Sequence, residues 1–252
     1  MDALLGLGPG ELAALLGAGL VAGFINTLAG GGSLLTLPAL VLVGLPIDVA
    51  NGTNRIAVVA QSLAATWRFD KAGAVVWGTV LRVLLPTVLG AFTGAAGAAW
   101  VVPREMLAPV LFGSMLTVAL VMMVRPPRDL VEGDGEPSRW STPGLFLAGV
   151  YGGFVQAGVG LVLIAVLTGL TRRTLVEANA LKLVVVMVFT LVALGIFIAA
   201  GQVSWAHGLL LSVSTVTGAL LGVRFALRAP SRVLRFIVLG CAAVACVAAL
   251  LR

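Results

Sequence analysis

The sequence predicts an all-α polytopic membrane protein made of two inverted repeats, each a broken-helix hairpin followed by three longer transmembrane helices. Three observations carry this expectation. The 252 residues are 60% hydrophobic and only 10% charged, with a mean hydropathy of +1.12, whereas a soluble domain carries about 25% charged residues. Long stretches such as Leu183–Ala200 and Leu209–Val223 are apolar almost throughout, without the two-residue alternation of a membrane β-barrel. Finally, the chain matches itself at a fixed shift.

The apolar runs fall in two sets of five. The first set is Leu12–Leu28, Leu34–Gly44, Ile56–Trp67, Ala74–Ala99 and Met106–Val124. A polar linker follows, with Pro126, Pro127 and four acids. The second set is Leu145–Ala157, Leu161–Leu170, Val176–Ala200, Val203–Leu227 and Val233–Leu251. The expected boundaries are 1–124 for the first repeat, 125–140 for a cytoplasmic linker and 141–252 for the second repeat. A shift of 128 residues superposes Trp77 on Trp205, Thr87 on Thr215, Gly90 on Gly218, Gly94 on Gly222 and Arg104 on Arg232. Near the start of each half a shift of 130 matches Gly19, Gly23, Phe24 and Gly30 with Gly149, Gly153, Phe154 and Gly160.

Each half opens with an interrupted segment. As one helix, Leu12–Gly44 would extend about 50 Å, too long for a hydrocarbon core near 30 Å. Gly30-Gly31-Gly32-Ser33 breaks it in the middle. Two short helices turning within the membrane are the simplest geometry, and irregular backbone at that depth must be buried in protein or line a cavity. Gln156, Gly158 and Gly160 make a weaker break in the second half. A hairpin that returns to its own side leaves three crossings per half, so a linker that does not cross inverts the second half. With the linker in the cytoplasm, eleven basic residues lie inside and only Arg104 and Arg252 outside, a strong positive-inside bias. All five tryptophans fall at run ends, as an interfacial belt requires.

The +6 charge and pI near 10.6 belong to these short loops and point to membrane orientation, not nucleic acid. Cys241 and Cys246 read as apolar filler. One histidine and no clustered carboxylates argue against a metal, and no nucleotide, hydrolase or metalloprotease motif appears. No cofactor is expected, and the oligomeric state stays open. The expected partners are the lipid bilayer and a small anionic solute.

That solute is suggested by polar residues opening apolar stretches. Asn51, Thr53, Asn54 and Arg55 do so in the first half, and Asn179 and Lys182 in the second, each after an Ala-Asn pair. A cation centred in a membrane helix costs roughly 2.5–3.5 kcal/mol on insertion scales. Helix N-termini at a midplane break present free N–H groups to an anion. The candidate binding set is Asn26, Gly30, Gly31, Gly32, Ser33, Asn51, Thr53, Asn54 and Arg55, with Gln156, Gly158, Asn179 and Lys182 from the other half. Blander readings stand beside this one. Asn51 caps a helix, Arg55 and Lys182 snorkel to an interface, and Gly90, Gly94, Gly218 and Gly222 let helices pack closely. Asp48 and Glu177 either couple proton movement or neutralise the two cations. His207 is an interfacial polar residue or a proton relay. Arg82, without a basic twin, is a weak candidate.

Gly23-Phe24, the Gly30–Gly32 run, Leu37-Pro38, Leu45-Pro46 and Ala50-Asn51-Gly52-Thr53-Asn54 resemble the first-half signature of the TauE/SafE family of membrane permeases, repeated more faintly at Gly152-Gly153, Gly158, Gly160 and Ala178-Asn179. The resemblance covers nearly the whole chain. It implies a secondary transporter, not an enzyme, in the cell (inner) membrane, exporting sulfur-containing anions such as sulfite, sulfoacetate and related organosulfonates by alternating access. The alternative is a non-transporting membrane component, such as an assembly partner or an enzyme-associated subunit. A transporter needs a polar route to the midplane, whereas a scaffold should be packed shut there.

Overall fold

A computed structural model describes residues 7–75, 77–124, 140–169, 175–229 and 233. Most of the linker, both cysteines and all of the last apolar run but Val233 lie outside the described residues. Among the described residues every regular element is a helix. In chain order they are α1 (Pro9–Leu28), α2 (Ser33–Leu42), α3 (Ile47–Lys71), α4 (Trp77–Ala96) continued by a π turn (Gly97–Val101), α5 (Arg104–Val124), α6 (Ser141–Phe154), α7 (Val159–Gly169), α8 (Leu175–Ala199) and α9 (Trp205–Ala226). Four of these segments are long and apolar enough to cross a membrane: Pro9–Leu28, Trp77–Val101, Glu177–Ala199 and Trp205–Ala226. The protein is a multi-pass membrane protein.

Local chemistry sets most boundaries. Proline is tolerated in a first turn, where its missing N–H has no helical partner, and α1 starts at Pro9 with Glu11 Oε2 accepting from Gly8 N at 2.9 Å. α3 starts directly after Pro46, carries Asp48 in its first turn and Arg68 and Lys71 in its last, which suits the helix dipole. This start corrects the sequence reading. Asn51 neither opens nor caps α3; Asn51 to Arg55 lie in its second and third turns, where their backbone N–H groups are helical. Pro46, at the N-cap, is the residue that marks the start.

The hairpin arms are also unequal. α1 has 20 residues and α2 only 10, about 30 and 15 Å, so the first arm is not short.

Helix α4 packs along α6, α9 along α1, and α3 lies between α8 and α9. Glycine makes the first two contacts backbone-close: a Cβ at Gly90 would meet the Phe146 carbonyl, one at Gly149 the Thr87 carbonyl, one at Gly218 the Leu20 carbonyl and one at Gly23 the Thr215 carbonyl. The close-packing reading of Gly90 and Gly218 therefore holds, as it does for Gly94, whose Cβ would meet the Val150 carbonyl, and for Gly222, whose Cβ would meet Thr27. α1 and α6 end 126 residues apart and α2 and α7 begin 126 apart, while α3 and α8, and α4 and α9, begin 128 apart. The hairpin elements are thus spaced by 126 and not by the 130 of the glycine matches, because glycine identities slide easily by one helical turn. All five tryptophans are exposed.

Candidate functional site

Helix α1 stops because Gly30 adopts φ +81, a left-handed conformation costly for other residues; the equivalent turn after α6 uses Gln156 at φ 65. The two turns meet. A Cβ at Gly30 would strike the Gly160 backbone, and one at Gly160 would strike Gly30. The two breaks touch through Gly30 and Gly160. Gly31 has ordinary room, its nearest neighbour being Leu34 Cδ1 at 3.4 Å, whereas a Cβ at Gly32 would hit the Ala22 carbonyl. Ser33 is the buried first residue of α2, and Gly158 turns the chain into α7 with φ 76.

Arg55 reaches across to the C-terminus of α6. Its Nη1 donates to Gly152 O at 3.1 Å and Gln156 Oε1 at 2.8 Å, and its Nη2 to Gly153 O and, at 3.5 Å, Phe154 O. Its guanidinium carbon lies 4.7 Å from the centre of the Phe197 ring. Asn51 Nδ2 adds a bond of 3.0 Å to Phe154 O. Lys182 does the same for α1, donating to Asn26 O at 2.9 Å and Thr27 O at 3.2 Å, and to Asn179 Oδ1 at 3.0 Å. The last carbonyls of a helix have no partner within it, and they carry the negative end of the dipole. Each cation therefore closes a helix end that would otherwise stand bare in the membrane. Arg55 and Lys182 are 0% and 1% exposed, so neither snorkels.

Asp48 neutralises neither cation. Its Oδ2 lies 3.2 Å from Arg104 Nε at the start of α5, with Asp48 4% and Arg104 76% exposed. That oxygen still lacks a properly directed hydrogen bond, so the contact is an ion pair without hydrogen-bond geometry. Glu177 is partly exposed in the first turn of α8. Arg82 is exposed on α4. Thr53 leaves the cluster and accepts from Ser204 N at 2.9 Å, while His207 Nδ1 and Ser204 Oγ share a 2.8 Å bond at the start of α9. Thr36, which no motif singles out, donates to Asn54 Oδ1 at 2.6 Å and ties α2 to α3. Thr190, equally silent in the sequence, lies 3.4 Å from Gln156 Oε1.

Two groups thus form beside one crossing: Asn51, Arg55 and Gln156 at the α6 end, and Asn26, Asn179 and Lys182 at the α1 end. Both are closed over, and a cleft of about 500 Å³ lies elsewhere, among Phe24, Leu221, Arg224, Phe225, Arg228 and Ala229. Within the closed groups several buried polar atoms have no hydrogen-bond partner among the described residues, including Arg55 Nε, Asn51 Oδ1 and Asn179 Nδ2.

The chain is similar to a probable membrane transporter protein, ORF9, of Sinorhizobium sp, at 29% identity over 230 residues, covering 89% of this chain and 86% of the relative. It is also similar to a probable membrane transporter protein of Haemophilus influenzae, at 29% identity with 84% of each chain covered. The probable membrane transporter protein YfcA of Escherichia coli is 27% identical, with 93% of this chain and 87% of the relative covered. No solved structure matches the chain. The model of one family, described as sulfite exporter TauE/SafE, matches residues 15–249, and a match across both hairpins and every helix described above means that the chain belongs to this family.

Proposed function

We propose that this membrane transporter moves small sulfur-containing anions, sulfite, sulfoacetate or related organosulfonates, outward across the inner membrane by alternating access. In this reading residues 1–124 and 141–252 are inverted repeats joined by a cytoplasmic linker at 125–140. The solute binds where the hairpins cross, among Asn26, Gly30 to Ser33, Asn51, Asn54, Arg55, Gln156, Gly158, Asn179 and Lys182.

The observation that carries the reading is the unbalanced charge at the crossing. Arg55 and Lys182 are fully buried and, among the described residues, have no carboxylate partner. Two helix C-termini offset about half a charge each, while the N-termini of α2 and α7 return a similar amount, leaving roughly +2. A small dianion or an anion pair balances that excess. Arg55 Nε and Asn179 Nδ2 are unpartnered donors, one from each half, and suit two oxygens of a sulfonate or sulfite. A scaffold packed shut satisfies its buried polar groups, so these orphans favour an occluded transporter. In the membrane family to which this chain belongs, the matched relatives carry transporter names and not enzyme names.

Liposomes containing the purified chain, given labelled sulfite, sulfate, sulfonates and carboxylates, test the proposal. Uptake or release confined to sulfur oxyanions is expected; carboxylate transport alone would overturn the solute class.

Topology has its own test. Asp48 and Arg104 are in contact at the starts of α3 and α5, which supports both helices starting on one side with two crossings between them. Arg104→Cys should react with an impermeant thiol reagent in intact cells, and Lys71→Cys only after permeabilisation. The reverse pattern would turn the molecule over.

A further inference from the structure

We infer that one face of α3 is the wall of the solute path, and that the Ser62 and Thr66 hydroxyls carry it from the crossing to the Lys71 end of the helix. The inference rests on the transport reading above and extends it to residues outside the crossing.

Of the eight buried side-chain atoms without a hydrogen-bond partner among the described residues, six lie on α3: Asp48 Oδ2, which has only the ion pair with Arg104, and Asn51 Oδ1, Arg55 Nε, Gln61 Oε1, Ser62 Oγ and Thr66 Oγ1. Five of these residues, all but Gln61, fall within an arc of about 60° when each residue turns the helix by 100°. From Asp48 to Thr66 they span about 27 Å along the axis, close to the roughly 30 Å hydrocarbon thickness. At Arg55 this face looks onto the α6 terminus and Phe197 of α8.

The hydroxyls are the telling members. Serine and threonine in membrane helices ordinarily bond back to a carbonyl one turn earlier. Here Thr27, Thr87, Thr93, Ser114, Ser212 and Thr215 all do so. Ser62 is 0% and Thr66 6% exposed, yet neither hydroxyl has a hydrogen-bond partner among the described residues. A buried hydroxyl without a partner carries a desolvation cost, a cost that water or a solute reaching it during the working cycle would offset. Hydroxyl donors suit the oxygens of an oxyanion and hold them loosely enough to let them pass.

The test uses the full chain with Cys241 and Cys246 replaced by Ala, in liposomes under conditions of turnover. Ser62→Cys and Thr66→Cys should react with 2-sulfonatoethyl methanethiosulfonate at least an order of magnitude faster than Ala65→Cys, a fully buried neighbour in an apolar cluster. Rates no faster than that of Ala65→Cys would overturn the inference. If a cysteine variant does not fold, Ser62→Ala and Thr66→Val decide: transport should fall severalfold while the unfolding temperature holds or rises, because no hydrogen bond is lost. A lower unfolding temperature with unchanged transport would make the hydroxyls structural and end the proposal. Fast labelling in a chain that moves no anion of the panel would remove the solute assignment and keep the path. Transport with unreactive Ser62→Cys and Thr66→Cys would do the opposite.

Discussion

Gly30→Ala should cost on the order of 2–5 kcal/mol and abolish transport. The left-handed backbone at Gly30 accounts for about 1–2 kcal/mol with any other residue, and overpacking adds about 1–3 kcal/mol. The new methyl meets the Gly160 backbone, which has no side chain to swing away. Gly160→Ala makes the same clash from the other hairpin without the left-handed penalty, so it should cost less and still disrupt transport. Gly31→Ala is the control for folding, because its Cβ makes only ordinary contacts; it should leave the unfolding temperature near that of the parent chain. Thermal unfolding in detergent and flux in liposomes check all three. Equal behaviour of Gly30→Ala and Gly31→Ala would show that the hairpin tips do not depend on the crossing.

Arg55→Ala should lose folded protein before it loses anything else. The carbonyls of Gly152 and Gly153 lose their side-chain donor, while Phe154 O keeps Asn51 Nδ2 and Gln156 Oε1 keeps Thr190. Each buried acceptor left bare costs about 1–3 kcal/mol, and partial relaxation makes a total of about 3–5 kcal/mol reasonable. Lys182→Ala removes three bonds, two of them to carbonyls, and should cost somewhat less. Arg55→Lys separates architecture from recognition. It keeps the charge that closes α6 but removes the planar fork and the free Nε donor. Its fold should survive, while affinity for a sulfonate, measured by calorimetry on the purified chain, should drop about tenfold, near 1.4 kcal/mol. Undiminished affinity in Arg55→Lys would take Arg55 out of the solute site and leave it a purely structural cation.

Much of the helix plan was legible because apolar runs, glycine breaks and charged loops are direct consequences of lipid. Expected and observed helices agree to within a few residues at α4, α8 and α9. α3 was the exception. Its first nine residues carry Asp48, Asn51, Asn54 and Arg55, so hydropathy places its beginning at Ile56, whereas the structural start is set by Pro46. Arg55 and Lys182 were conspicuous in the sequence, but most of their acceptors are backbone carbonyls of the opposite half, which no side-chain pattern advertises. Gly30 could not be told from Gly31 or Gly32 because only its backbone angle and its neighbour distinguish it. Ser62 and Thr66 were invisible for the reverse reason: hydroxyls are common in membrane helices, and only a missing partner makes these two unusual. Their spacing with Asp48, Asn51 and Arg55 was the available signal.

The reciprocal closing of helix ends has a bearing on how the chain is made. Synthesis delivers α3 to the membrane long before α6 exists, so Arg55 must enter the bilayer region with its eventual acceptors at Gly152 to Phe154 still untranslated. Likewise the carbonyls of Asn26 and Thr27 wait for Lys182. Until then α3, a long helix too polar to count as a membrane span by composition, has little reason to leave the insertion machinery for lipid. The first half should therefore remain beside the translocon, or at the bilayer surface, until the second emerges, and a ribosome stalled within the linker should expose an immature product that quality-control proteases remove.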